Sequence, residues 1–345
     1  MPVTLAIDAM SGDHGLDVTV AAALSCLKGS PGLRIELVGD RVAIERQLGR
    51  LKAVPCERCA IVHASEVVSM DESPAKAMRN KKDSSMRVAI NRVKDGAAQA
   101  MVSAGNTGAL MATAKFVLKT LPGIDRPAIV SAIPNVNGHV HMLDLGANAE
   151  CTATQLFQFA VMGSALVTAM LGRQRPRVAL LNIGSEEIKG SDTIRATAAM
   201  LQASSLNYIG YVEGDGIFLS DVDVVVCDGF VGNVALKTGE GVAKMIRQFL
   251  KEEFTANLLH KIAAIAAMPA LKSLGKRIDP RGYNGASLLG LSGTVIKSHG
   301  SADIIGFANA IRVAVREVEQ NVPERISRLL GQALDPAPPQ PRAEA

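Results

Sequence analysis

Residues 98–119 read AQAMVSAGNTGALMATAKFVLK, and three kinds of local structure follow one another within them. Ala98–Ser103 is a short apolar run of strand length. Ser103–Gly108 is a turn of small residues, in which Gly105 and Gly108 let backbone N–H groups come close to a ligand. Thr107–Lys119 carries apolar residues at helical spacing and ends on a lysine. A strand, a glycine turn and a helix in immediate succession form the repeating unit of a sheet wrapped by helices.

The unit recurs on both sides. Apolar runs at Val3–Asp8, Arg34–Gly39, Ala60–Ala64, Ala128–Ile133, His139–Leu145, Arg177–Ile183, Tyr208–Glu213 and Val222–Cys227 predict further strands. Helical patterns are predicted at Asp17–Lys28, Val42–Lys52, Ser85–Lys94, Ala149–Leu171, Asp192–Gln202, Val234–Phe254 and Ala302–Glu319. Several of the strands are continuously hydrophobic, which points to burial on both faces in a parallel sheet. The predicted architecture is a doubly wound, Rossmann-like αβα sandwich, a single α/β domain over residues 1–335 with a disordered Pro/Ala-rich tail at 336–345. Two segments break the rhythm. Ser69–Met86 is polar and holds Arg79, Lys81 and Lys82. Residues 251–278 place Phe254, Leu258, Ile262, Ile265 and Leu271 at mostly three- and four-residue intervals, and Pro269 predicts two short helices projecting as a hairpin.

With 345 residues, 48% hydrophobic and 20% charged, the chain can bury a large core. Only 3% of residues are aromatic and there is no Trp, so a base-stacking surface is not expected despite a net charge of +4, and no nucleic acid partner is inferred. The five scattered cysteines read as free thiols in a reducing cytosol. Cys56 and Cys59 form a CxxC without a second pair or a nearby His, a loop coincidence. No secretory signal precedes the strand that contains Asp8, so a cytoplasmic protein is expected. Cys151–Gly172 is uncharged and, at about 20 residues, long enough to cross a bilayer. Its Thr154, Gln155, Gln158 and Thr168 mark it as a core helix.

In an open parallel sheet, ligands bind beyond the carboxyl ends of the strands. The turns there are Asp8–Asp13 with Gly12, Ser103–Gly108 with Asn106 and Thr107, Asp144–Asn148, Asn182–Gly190, and Asp228–Asn233 with Gly232. They are expected to meet at one edge and form an anion site, to which the helix from Thr107 adds its positive end. A helix end contributes only about 0.3–1 kcal/mol when exposed. An ammonium about 4 Å away adds ~4 kcal/mol at an effective dielectric near 20, so a lysine should decide the site, and Lys189 is the candidate. The plainer alternative pairs Lys189 with Glu186 or Glu187 on the surface, and any single glycine turn can be a tight connection and nothing more. His139 and His141 lack an acidic partner nearby in sequence, so no metal is expected. No GxGxxG follows the first strand, and neither GxxxxGK[ST] nor GxSxG occurs, so no nucleotide cofactor and no serine elbow are expected. A lysine-bearing pocket without a nucleophile suits an enzyme whose nucleophile is a bound substrate.

Through IDAMSGDHG, Pro74–Met86, SAGNTGA, DLGANAE, NIGSEEIKG and DGFVGNVALK, the chain resembles the phosphate acyltransferase family of bacterial phospholipid synthesis, from Ala6 to about Val318. It departs at Ser11, where the family has a second Gly, and at Leu16, where it has Pro. The resemblance implies a sheet similar to those of phosphotransacetylases and isopropylmalate-type dehydrogenases, and conversion of acyl-ACP (acyl carrier protein) and inorganic phosphate to acyl phosphate and free ACP. It also implies a homodimer, no metal or nucleotide cofactor, and a product handed to a membrane glycerol-3-phosphate acyltransferase. On this basis phosphate held by Ser103, Gly105, Asn106, Thr107, Gly108 and Lys189 attacks the thioester, while Lys189, Asn233 and backbone donors near Gly232 stabilise the oxyanion. Asp8, Gly12, Asp144 and Asn148 line the pocket. Acidic ACP is expected to dock on Arg79, Lys81 and Lys82 or on the hairpin, whose apolar stripe serves either a bilayer surface or a dimer contact. The alternative activity is phosphotransacetylase-like transfer from short acyl-CoA, which has no use for an apolar hairpin.

Overall fold

The computed structural model describes residues 2–277 and 279–334, so the tail at 336–345 lies outside the described residues. One sheet contains β1 (Val3–Asp8), β2 (Leu33–Gly39), β3 (Cys59–His63), β4 (Ala100–Ser103), β5 (Ala128–Asn135), β6 (Gly138–Leu143), β7 (Arg177–Leu181), β8 (Asn207–Val212), β9 (Val224–Val226), β10 (Ala286–Leu289) and β11 (Thr294–Lys297). The helices are α1 (Leu16–Gly29), α2 (Arg41–Arg50), α3 (Pro74–Asn80), α4 (Ser85–Lys94), α5 (Thr107–Leu118), α6 (Ala153–Leu171), α7 (Asp192–Gln202), α8 (Gly216–Leu219), α9 (Gly229–Thr255), α10 (Leu258–Arg277), α11 (Ile304–Glu319) and α12 (Val322–Leu334).

The strand order is β3-β2-β1-β4-β11-β10-β5-β6-β9-β7-β8. Pairing is parallel from β3 to β11 and again from β6 to β8, but antiparallel at β11/β10, β10/β5 and β5/β6. Strands β6 to β10 therefore run opposite to all the others. The sandwich is as predicted, but its sheet is mixed where a parallel one was expected. The reversal comes from the tight β5–β6 connection at Val136 and Asn137, too short for the crossover that a parallel pair requires.

Alternation along the strands sorts the core into two faces. On one face, α1, α2 and α11 cover the β1–β4–β11 half, and α6, α7 and α12 cover the other half. The opposite face holds α4, α5 and α8 on a single cluster that runs under both halves. Helix α6 is apolar and long enough to span a membrane, yet 72% of its window is buried. Its polar residues explain why: Thr152 and Gln155 close a capping box, and Gln158 accepts from Asp125 N (3.0 Å) and donates to Gly123 O (2.9 Å).

The hairpin differs from its prediction. Pro269 lies inside α10 and does not divide it, and the other limb is the second half of the 27-residue α9. A proline removes one N–H bond and crowds the preceding turn, a local defect that a long helix can absorb. No residue of α10 is buried. Leu258, Leu259, Ile262 and Ile265 are all exposed, at 73%, 76%, 57% and 72%, while Phe254 and Leu271 are half-buried.

Candidate active site

Because β6–β10 are reversed, the five glycine turns do not share an edge. The Asp8–Asp13 and Ser103–Gly108 turns lie at one edge, and the Asp144–Asn148, Asn182–Gly190 and Asp228–Asn233 turns at the other. Strands β4 and β7 stand six places apart, so Lys189 is separated from the Asn106 turn by ~29 Å across the sheet, at ~4.8 Å per strand. Lys189 instead pairs with Glu186 at 2.8 Å; this partner and then Glu213 raise its pKa. The surface pairing anticipated for it is what forms.

At the second edge, Asp144 is fully buried. Its Oδ1 accepts from the backbone of Ile129 (2.9 Å) and Ala147 (3.1 Å), and its Oδ2 from Asn148 N (2.7 Å) and Nδ2 (2.9 Å). Burial raises its pKa, against these donors. Asn148 Nδ2 also reaches Pro127 O, and Asn148 O receives Gly229 N at 2.7 Å. Gly232 is required here, since a Cβ would stand 1.9 Å from Asp144 O. Asp144, Asn148 and Gly232 thus seat the start of α9, which Asp228 caps through Val231 N. Asn233 is exposed, and its amide rests beside the bare Cα of Gly146.

At the first edge the Ser103–Gly108 turn is largely satisfied from within. Ser103 Oγ donates to Asp8 Oδ2 (2.7 Å) and accepts from Gly105 N (3.0 Å). Asn106 caps α5 through Ala109 N, and its Nδ2 donates to Met70 O and Glu72 O, which draws the Ser69–Met86 segment over the turn. Ser103, Gly105 and Asn106 are therefore fixed structurally, while Thr107 and Gly108 stay open. Lys81, offered as a docking residue, is tied to Glu72 (2.7 Å) and Val67 O; Arg79 and Lys82 are exposed.

A third turn completes this edge, and the sequence reading missed it. It follows β11 as Lys297-Ser298-His299-Gly300. Ser298 N donates to Ser103 O, and Gly300 O receives Asp13 N, both at 2.9 Å. Gly12 packs in the same joint: its φ is +84°, and a Cβ would meet Ala104 Cβ at 3.0 Å. Lys297 is only 8% exposed and its Nζ donates to the carbonyls of Ala104 (3.3 Å) and Ser298. Burial lowers its pKa to about 8, Asp13 and Asp8 oppose the shift, and the Lys237 charge adds to it. His299 is held below the usual range by burial first and then by Lys237, with Lys297 and Lys244 adding and Glu240 opposing. Its Nδ1 accepts from Ser301 N (3.2 Å), which leaves Nε2–H to donate outward. Lys237, paired with Glu240 at 3.1 Å, projects from α9. A buried amine, an imidazole and a helix-borne lysine thus gather at one place, where the Lys237 charge adds to the lowering of both Lys297 and His299. That arrangement suits a multiply charged anion.

The mixed αβα fold has a counterpart among solved structures. A phosphotransacetylase from Streptococcus pyogenes matches with a TM-score of 0.62 at 17% identity, over 92% of this chain and 94% of that one. Closer likeness lies in sequence. The chain is 59% identical to a phosphate acyltransferase of Methylococcus capsulatus over 94% of its own length and 95% of that protein's. To one of Legionella pneumophila strain Paris it is 59% identical, over 93% and 94%. The family model described as "Fatty acid synthesis protein" matches residues 3–325. The chain belongs to the phosphate acyltransferase family.

Proposed function

We propose that the protein moves an acyl group from the thioester of acyl-ACP to inorganic phosphate, giving acyl phosphate and free ACP in the cytoplasm, and that phosphate sits in the crevice of Lys297, His299 and Lys237. The observation that carries this reading is the convergence of those cations at the ends of β1, β4 and β11. A phosphate oxygen attacks the carbonyl carbon, a C–O bond forms as the C–S bond breaks, and the leaving thiolate takes up a proton. Each ammonium about 4 Å from phosphate contributes ~4 kcal/mol at an effective dielectric near 20. Asn233 precedes Lys237 by four residues on α9, so the two share a helix face and the Asn233 amide can donate to the oxyanion.

Lys189 enters this scheme only between subunits. It is exposed beside Ile183 and Ile188, which are 81% and 85% exposed. In a homodimer that covers this apolar patch, the partner's Lys189 completes the crevice.

An acidic carrier with an apolar cargo fits the groove between α9 and α10, about 810 Å³, where Lys244, Arg247, Lys251 and Lys272 stand over Met268 and Leu271. Incubating the protein with palmitoyl-ACP or palmitoyl-CoA and labelled phosphate tests the reading. Labelled acyl phosphate is expected from the ACP donor. Turnover of the CoA thioester alone would replace this assignment with a phosphotransacetylase-like one.

A further inference from the structure

We propose a second anion site, separate from the crevice, that takes a small phosphate monoester between α1 and α2. A cavity of about 300 Å³ there is lined by His14, Gly15, Leu16 and Asp17 at the start of α1, by Arg46, Gln47 and Arg50 on α2, and by Met10 and Ala43. Three independent features converge on it.

The first is the helix start itself. Helix α1 has Gly15 as its N-cap and no side-chain cap; Val18 N and Thr19 N bond to Gly15 O, and Leu16 and Asp17 of its open first turn line the cavity. The second is Gln47, only 7% exposed, whose carboxamide makes no hydrogen bond with any described residue and borders the cavity. Its amide atoms stay open to solvent at the cavity, where a ligand oxygen would replace water. The third is charge. Arg46 and Arg50 are one helical turn apart on the same face, and neither forms an ion pair with a described residue. Two guanidinium groups set side by side suit the fork geometry of a phosphate dianion. Asp17 is the one carboxylate in the lining and leaves the cationic excess in place.

The volume sits at the lower end of ligand pockets, about 300 Å³, and Met10, Leu16 and Ala43 give it an apolar wall. These features favour an esterified phosphate with a small carbon body over the free ion. The Met10–Gly15 stretch separates this cavity from the crevice, since Gly12 and Asp13 pack on the Gly300 turn while His14 and Gly15 face the cavity. The two sites share that loop but no cation.

Calorimetric titration of the full chain with phenyl phosphate, and separately with inorganic phosphate, tests the assignment. Phenyl phosphate should bind a site that Arg46→Ala/Arg50→Ala weakens about tenfold or more, that Gln47→Leu also weakens, and that Lys237→Ala leaves intact. Both arginines are exposed, so the double variant should melt as the wild type does. Identical phenyl phosphate isotherms for the wild type and the double variant would overturn the site. Inorganic phosphate binding there as tightly as phenyl phosphate would overturn the monoester assignment.

Discussion

The turns after β6 and after β11 are built from the same materials, yet they do opposite things with a buried charge. Asp144 is surrounded by donors: four hydrogen bonds of 2.7–3.1 Å occupy both oxygens, and nothing remains for a ligand. Lys297 is also buried, but its ammonium donates to two carbonyls, with Asp13 and Asp8 drawing on its charge through space and Lys237 opposing it. The first turn is a closed joint that seats α9. The second holds an ammonium with no carboxylate in hydrogen-bond contact, answered only through space by Asp13 and Asp8, and such a group gains when an anion arrives. A glycine turn after a strand is therefore not evidence of a site; a buried charge within it that no carboxylate contacts is.

The contrast can be broken first by rate. Lys297→Met, Lys237→Ala and Asn233→Ala should each lower kcat/KM by ~10²–10³ in the palmitoyl-ACP assay. Lys189→Ala should fall comparably, but equal mixing of Lys189→Ala with Lys237→Ala chains should recover activity that neither has alone. Failure of that mixture to recover activity after subunit exchange would remove Lys189 from the crevice.

Stability should separate the two turns in the other direction. Asp144→Asn places an amide against two donors and should cost about 3 kcal/mol in chemical unfolding. Lys297→Met should stabilise by up to about 3 kcal/mol, less the contribution of its two hydrogen bonds. The sign follows from linkage. The folded pKa of Lys297, about 8, lies below its ordinary 10.5, so the penalty of burying its charge is complete below pH 8 and absent above 10.5. The gain should therefore be seen at pH 7 and vanish in strong alkali.

A smaller effect concerns pH and rate. If the charged Lys297 holds phosphate, kcat/KM for phosphate should decline as pH rises through about 8, and Lys297→Arg should shift that limb upward. An unchanged limb would assign it to another group. Smallest of all, the exposed hairpin tip should affect location and not chemistry. Leu258→Glu should reduce flotation with liposomes while leaving turnover of soluble substrate nearly unchanged. Flotation equal to that of the wild type would leave the tip to a dimer contact.

Local pattern determined much of this protein. Every strand predicted from a hydrophobic run exists, because a short apolar run bounded by turn residues suits a strand buried on both faces of a sheet. The start of α5 at Thr107 was legible for the same local reason, whereas the helices expected from Ala149 and Val234 begin at Ala153 and Gly229, behind the caps Thr152 and Asp228. Strands β10 and β11 were missed because Gly285, Gly290, Gly293 and Gly300 punctuate the stretch so closely that it reads as turns, and with them went the Lys297 turn. Val295-Ile296-Lys297-Ser298-His299-Gly300 nonetheless repeats the strand-then-glycine pattern that marked the other turns.

Strand direction was decided only by the tertiary structure. A hydrophobic run reads the same pointing either way, and the tight β5–β6 connection turned half of the sheet around. That reversal sent Lys189 to the far edge and left Lys297, His299 and Lys237 to gather at the near one. Sequence fixes which residues can carry charge into a turn, whereas the summed field in a crevice depends on distances between segments that only the folded chain sets.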